Sequence, residues 1–235
     1  MNYLSHHTVA RAYVTRTSGA VSPSFFVGNV LPDLLAVSGD GRLRAAGVLS
    51  PPDSVDRSLV DGVRLHLATD TRFHGHPLFA EATADASAAL RAVSFSVPLR
   101  RVFFLAHTFV EIALDGWLIR QSAGIADDFY AQFKSADLPA IVTDAGRLLG
   151  SDVPLLGLAT TLERFTAAQY LRSYAQETGM AEALCRVSHR AKLADLFADP
   201  ADRALLGNCF GEFLPRLSEK SSALLAPPST FSVIQ

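Results

Sequence analysis

Three stretches of the sequence set imidazoles, carboxylates or amides four residues apart inside apolar runs. In VFFLAHTFVEIALDGWLIR, His107, Glu111 and Asp115 follow one another at i, i+4 spacing. On a helix each is rotated only about 40° from the last, so the three form one narrow stripe. LVDGVRLHLATDTRF repeats the spacing with His66 and Asp70, and FFVGNVLPDLL repeats it with Asn29 and Asp33. Imidazole and carboxylate together are ligands for divalent cations. A mixed set without thiolate suits Mn, Fe or Zn and argues against a structural zinc site.

Such residues also occur on the wet face of an ordinary amphipathic helix. The neighbours point inward instead. Phe104 and Leu118 fall in the same arc as the 107/111/115 stripe, and no Lys, Gln or Ser lies between its charges. His66 and Asp70 share a face with Leu59, Val63, Leu67 and Phe73, while Asp61, Arg64 and Arg72 are expected on the opposite side. Asn29 and Asp33 keep company with Phe26 and Val30. Buried carboxylates are costly unless paired, hydrogen-bonded or metal-bound, and no Lys or Arg stands in register to neutralise this many. A divalent cation meets the need.

The elements that would carry these residues read as helices. No stretch sustains period-2 alternation, and the expected class is all-α, a single-domain bundle over residues 1–225 with a loose tail at 226–235. Helices are expected near Tyr3–Thr17, Ser54–Phe73, Leu78–Val93, Val102–Arg120, Ala126–Ser135, Leu138–Leu149, Leu155–Tyr174, Gly179–Ala198 and Pro200–Leu225. Pro23 and Ser24 open the Asn29/Asp33 helix, and Pro32 should kink it or end its first part. The tetrapeptide HGHP stops the His66 helix and leaves His74 and His76 near its end. His6 and His7 lie on the first helix, where an imidazole is more often structural than a ligand.

Composition narrows the class. With 235 residues, 49% hydrophobic and 19% charged, the chain can bury a sizeable core. A formal net charge of −2 gives no general signature of nucleic-acid binding, and no such partner is expected. Cys185 and Cys209 form no short-spaced pair, which fits a reducing cytoplasm. Val102–Ile119 is long enough to tempt a membrane reading, but three ionisable residues at its centre argue against one, and no membrane partner is expected. G-x-S-x-G, P-loop and H-E-x-x-H motifs are missing, which removes serine hydrolases, P-loop NTPases and zincins as leading ideas.

Taken in order, MNYLSHHTVA, GNVLPDLL, GVRLHLATDTRFHGHP and VEIALDGWL resemble the acyl carrier protein phosphodiesterase family, helical relatives of the HD-domain metal hydrolases; YLRSY, VSHRAKL and FGEFLPRL continue the likeness weakly. The resemblance implies an HD-domain-like fold and a site formed by His6, Asn29, Asp33, His66, Asp70, Glu111 and Asp115. It further implies metal-dependent hydrolysis of the phosphodiester joining 4′-phosphopantetheine to a carrier-protein serine, with acyl carrier protein as partner. Mn is the expected cation, with Fe or Zn as substitutes.

Within that frame Asp33, His66, Asp70 and Asp115 are the expected metal ligands, Glu111 a ligand or general base, and His107 a ligand or the proton donor to the leaving oxygen. His6, Asn29, His74, His76 and Arg190 are expected to bind substrate or support the ligands. Arg172, Arg186 and His189 join Arg190 as residues that could approach phosphate, although surface solvation is the better account of each. Gly116 stands where the family commonly has His. His107 is nine residues away and so about 180° round the helix, which leaves the space beside residue 116 to water, substrate or His74 or His76. Two alternatives remain: a phospholipase-like metal phosphodiesterase with another substrate, and a non-catalytic binding protein on the same fold.

Overall fold

The computed structural model describes residues 1–17, 21–43, 48–122 and 124–228, and the last seven residues of the expected tail lie outside them. Among the described residues every regular element is helical and none is a strand, so the fold is all-α. The chain forms two compact units. Among the described residues one, the central-helix unit, takes those of 1–5, 73–125 and 170–226; the other, the His66 unit, takes those of 6–72, 126–169 and 227–228. The boundaries after Ser5 and Arg72 fall inside helices Tyr3–Thr17 (α1) and Arg57–His74 (α4), so no linker marks them and the composition carries no trace of the division.

In the central-helix unit, α6 (Val102–Gln121) packs against α5 (Pro77–Ala92), a 3-10 turn at Tyr170–Ala175, α10 (Glu177–Arg190) and α11 (Pro200–Leu224). A helix apolar on nearly every side is a core helix. Leu105, Ala106, Phe109, Val110, Ala113 and Leu114 are all fully buried, although α6 is also long and apolar enough to cross a membrane. Phe109 stacks on Phe210 at 3.9 Å between ring centroids and meets Phe213 edge-on at 5.2 Å. Gly116 sets the approach of α10: a Cβ there would lie 2.3 Å from Met180 Sδ and 3.0 Å from the Tyr174 carbonyl oxygen. The space beside residue 116 is therefore filled by protein, not by water, substrate or a histidine.

The His66 unit holds α1 from His6, α2 (Pro23–Gly28), α3 (Leu31–Ser38), α4 to Arg72, most of α7 (Ile125–Ser135), α8 (Leu138–Leu149) and α9 (Leu156–Ala168). Two glycines let α2 and α4 touch through their backbones. A Cβ on Gly28 would come within 2.3 Å of Leu59 O, and one on Gly62 within 2.1 Å of Phe25 O. Phe129, Phe133 and Phe165 cluster on the far side of the sequence from these helices, with centroid separations of 4.9–5.8 Å.

Several expected elements shift. The Asn29/Asp33 helix ends its first part, as expected of Pro32, and resumes as a second helix: the ladder breaks after Gly28 and Pro32 enters the first turn of α3. Asn29 and Asp33 consequently sit on different elements. The Leu155–Tyr174 helix ends at Ala168, where Gln169 turns left-handed (φ 47°), and the rest is the 3-10 turn. α10 stops at Arg190, followed by Lys192 and Phe197, both with positive φ. Asp61, expected outward, is buried: Arg64 binds it at 3.1 Å and also donates to the Val48 and Leu49 carbonyls.

Candidate metal centre

Two α-helices and the turn between α2 and α3 build the first group, all within the His66 unit. α1 supplies His6, and α4 supplies His66 and Asp70 one turn apart, as the i, i+4 spacing requires. One ligand atom from each of the three lies within 4.8 Å of the others. The His6 and His66 rings stack at 4.0 Å with 18° between their planes. His6 Nε2 is 3.9 Å from Asp70 Oδ1, and His66 Nε2 is 3.9 Å from Asp33 Oδ1.

These 3.9 Å separations are too long for hydrogen bonds. They suit two ligands of one ion, since donors about 2.1 Å from a cation lie roughly 3.0 Å apart at right angles, 3.4 Å in a tetrahedron and 4.2 Å when opposed. The imidazoles are nearly inaccessible, whereas Asp33 and Asp70 side chains are 36% and 35% exposed. The carboxylates thus form the open side of the group.

The supporting contacts orient His66. Its Nδ1 lies 3.0 Å from the Asn29 carbonyl oxygen, an acceptor only, so Nδ1 carries the hydrogen and Nε2 presents its lone pair. Asn29, itself buried, donates from Nδ2 to the His6 carbonyl at 2.7 Å. One residue thereby braces the backbone of His6 and the ring of His66. Asn29 Oδ1 is buried without a hydrogen-bond partner among the described residues. A pair of buried imidazoles and a pair of half-exposed carboxylates, one imidazole locked in the ligating tautomer, fits a divalent cation.

Neighbouring His7 serves another purpose. Its Nε2 binds Asp128 at 2.7 Å, and Arg11 binds the same oxygen. Burial lowers the His7 pKa despite Asp128, while the His7 hydrogen bond, helped by Arg11, holds Asp128 down at about 2.

A second group lies in the central-helix unit. His107 and Glu111, one turn apart on α6, meet His74, the last residue of α4. His74 Nε2 is 3.1 Å from His107 Nε2 and 3.1 Å from Glu111 Oε1, and His107 Nε2 is 3.2 Å from that oxygen. The Met1 amino group also reaches Glu111 Oε1 at 3.1 Å. Burial pushes the Glu111 carboxyl up, but the Met1 ammonium and the hydrogen bonds from His107 and His74 outweigh it and hold the group well below the usual range. So strong an acid is a poor general base in this state.

Other expected site residues are used differently. Asp115 belongs to neither group. Fully buried, it accepts from Leu4 N (3.0 Å), Ser5 N (2.8 Å) and Ser5 Oγ (2.7 Å), which ties down the first turn of α1 in place of ligating a metal. Burial pushes Asp115 up to about 7 against these three donors. His76 is a helix cap: its Nδ1 accepts from Leu78 N at 3.1 Å. Arg172, Arg186, His189 and Arg190 are all exposed on the central-helix unit, with Arg186 lying 5.4 Å over the Tyr170 ring. The contact that sequence reasoning missed is the Met1 amino group, for which no local pattern gives a signal.

Comparison with protein-family models, with curated proteins and with solved structures finds no match to this chain.

Proposed function

We propose that the protein is a metal-dependent phosphodiester hydrolase whose cation is held by His6, His66 and Asp70, with Asp33 completing the set. The observation that carries the reading is the His66 tautomer in a residue grouped with His6 and Asp70: Nδ1 is committed to the Asn29 carbonyl, leaving Nε2 3.9 Å from Asp33 Oδ1. Mn is the proposed cation, with Fe or Zn as substitutes. When bound there, it would neutralise charge developing on phosphoryl oxygens and activate water.

The chain's own residues then divide the work. His6 and His66 anchor the ion from the buried side, where stacking and the Asn29 brace fix their rings. Asp33 and Asp70 would supply ligand oxygens from the accessible side. Glu111 and His107 carry no step in this reading. The proposed substrate, by resemblance of the four motifs, is holo acyl carrier protein, cleaved at its pantetheine phosphodiester.

Incubation of the purified protein with Mn and either holo acyl carrier protein, read by mass spectrometry, or bis-(p-nitrophenyl) phosphate, read by absorbance, tests this. Loss of the pantetheine arm, abolished by Asp70→Ala and His66→Ala, is the expected result. Cleavage of the small diester with an unchanged carrier would move the substrate to another phosphodiester. No cleavage of either with Mn, Fe, Zn or Mg would overturn the hydrolase reading.

A further inference from the structure

The His74, His107 and Glu111 group has the composition of a complete cation site, two imidazoles and one carboxylate. We propose that these three residues bind a divalent first-row transition ion of their own, independently of the hydrolase reading. Their nitrogen and oxygen atoms form a nearly equilateral triangle with edges of 3.1, 3.1 and 3.2 Å. Three mutually adjacent ligands about 2.1 Å from an ion subtend edges of roughly 3.0 Å in an octahedron and 3.4 Å in a tetrahedron, and the observed edges fall between. A two-histidine, one-carboxylate face leaves further positions open on the ion.

The donor chemistry points the same way. Both Nε2 atoms and Glu111 Oε1 lie within 3.2 Å of one another, so with Nε2 unprotonated on each ring three lone pairs converge on one place. Packing preorganises the pair. The rings lie 4.8 Å apart with 16° between planes, and one aromatic, Phe79, stands nearly perpendicular to both, with its centroid 5.1 Å from that of His74 and 5.0 Å from that of His107. Phe73 adds a second edge-to-face contact on His74 at 5.3 Å. His74 and His107 side chains are 30% and 31% exposed, and Glu111 is 17% exposed, so an ion can enter without opening the core.

The full-length protein, stripped with chelator, reloaded with Mn and desalted, is assayed for metal per chain by mass spectrometry, and Co loading supplies a d–d absorption spectrum that reads coordination directly. Wild type should hold two ions, His107→Ala and His74→Ala one each, His66→Ala one, and His66→Ala/His107→Ala none. The Co spectrum that remains in His66→Ala should vanish in the double variant. If His107→Ala does not fold, His74→Ala decides. Wild-type metal content kept by both His107→Ala and His74→Ala overturns this inference, whatever His66→Ala does. Loss of an ion in His107→Ala or His74→Ala with full retention in His66→Ala upholds it and overturns the centre proposed in the His66 unit instead.

Discussion

Asp115→Ala separates a structural carboxylate from a ligand. A ligand removed from a crowded anionic site leaves metal-free stability unchanged or raises it. Asp115 instead satisfies three buried donors, Leu4 N, Ser5 N and Ser5 Oγ, in a place with no solvent access. Each buried donor left without a partner costs about 1–3 kcal/mol, so the substitution should destabilise by at least about 3 kcal/mol at pH 5.

The pH dependence gives the test its sign. Burial raises the folded-state carboxyl from 3.8 to about 7, so between those values the folded protein holds a proton that the unfolded chain has released. Wild-type stability therefore falls as pH rises through this window, and the alanine variant lacks that loss. Between pH 5 and the folded value near 7 the difference amounts to two units at about 1.4 kcal/mol each. The penalty should shrink by roughly 3 kcal/mol on going from pH 5 to pH 8. Urea denaturation of both proteins, metal-free, at the two pH values measures it, and subtraction removes the other titrating groups. A penalty under about 1 kcal/mol at pH 5, or one unchanged at pH 8, would refute the clamp. Loss of metal with stability intact would return Asp115 to the ligands.

Gly116→His should not add a ligand: its Cβ would meet Met180 Sδ at 2.3 Å and Tyr174 O at 3.0 Å, and overpacking of this kind costs about 1–3 kcal/mol or more, read as a lowered melting temperature without gain in metal content. Asn29→Ala removes the brace on the His6 carbonyl and should weaken metal affinity of the His66 unit roughly 10–100-fold by calorimetric titration while leaving the fold intact; unchanged affinity would show that the brace is dispensable. Asp128, held at about 2 by His7 and Arg11, contributes stability that is present above the ordinary value of 3.8 and lost as pH falls through about 2. Asp128→Asn should accordingly destabilise at pH 6 and approach wild type toward pH 2 in acid titrations followed by circular dichroism.

Helical periodicity made much of this legible in the sequence. Tyr3–Thr17 and Leu138–Leu149 have the expected bounds, and His66 and Asp70 share a group because four residues along one helix is a local relation that no distant contact alters. The same reasoning put His107 and Glu111 together. It could not tell Asp115 from them. All three lie on one stripe of α6, yet His107 and Glu111 meet His74 while Asp115 meets Leu4 and Ser5, more than 100 residues away in the chain. Periodicity sets the direction in which a side chain points, not what stands there. Gly116 teaches the same point from the other side, since its missing side chain reads as an empty place in the sequence, and only the packing of α10 fills that place with Met180. The tautomer of His66 likewise depends on a carbonyl that turns toward it because Gly28 and Gly62 let two helices touch, a contact between distant backbones that residue type alone does not encode.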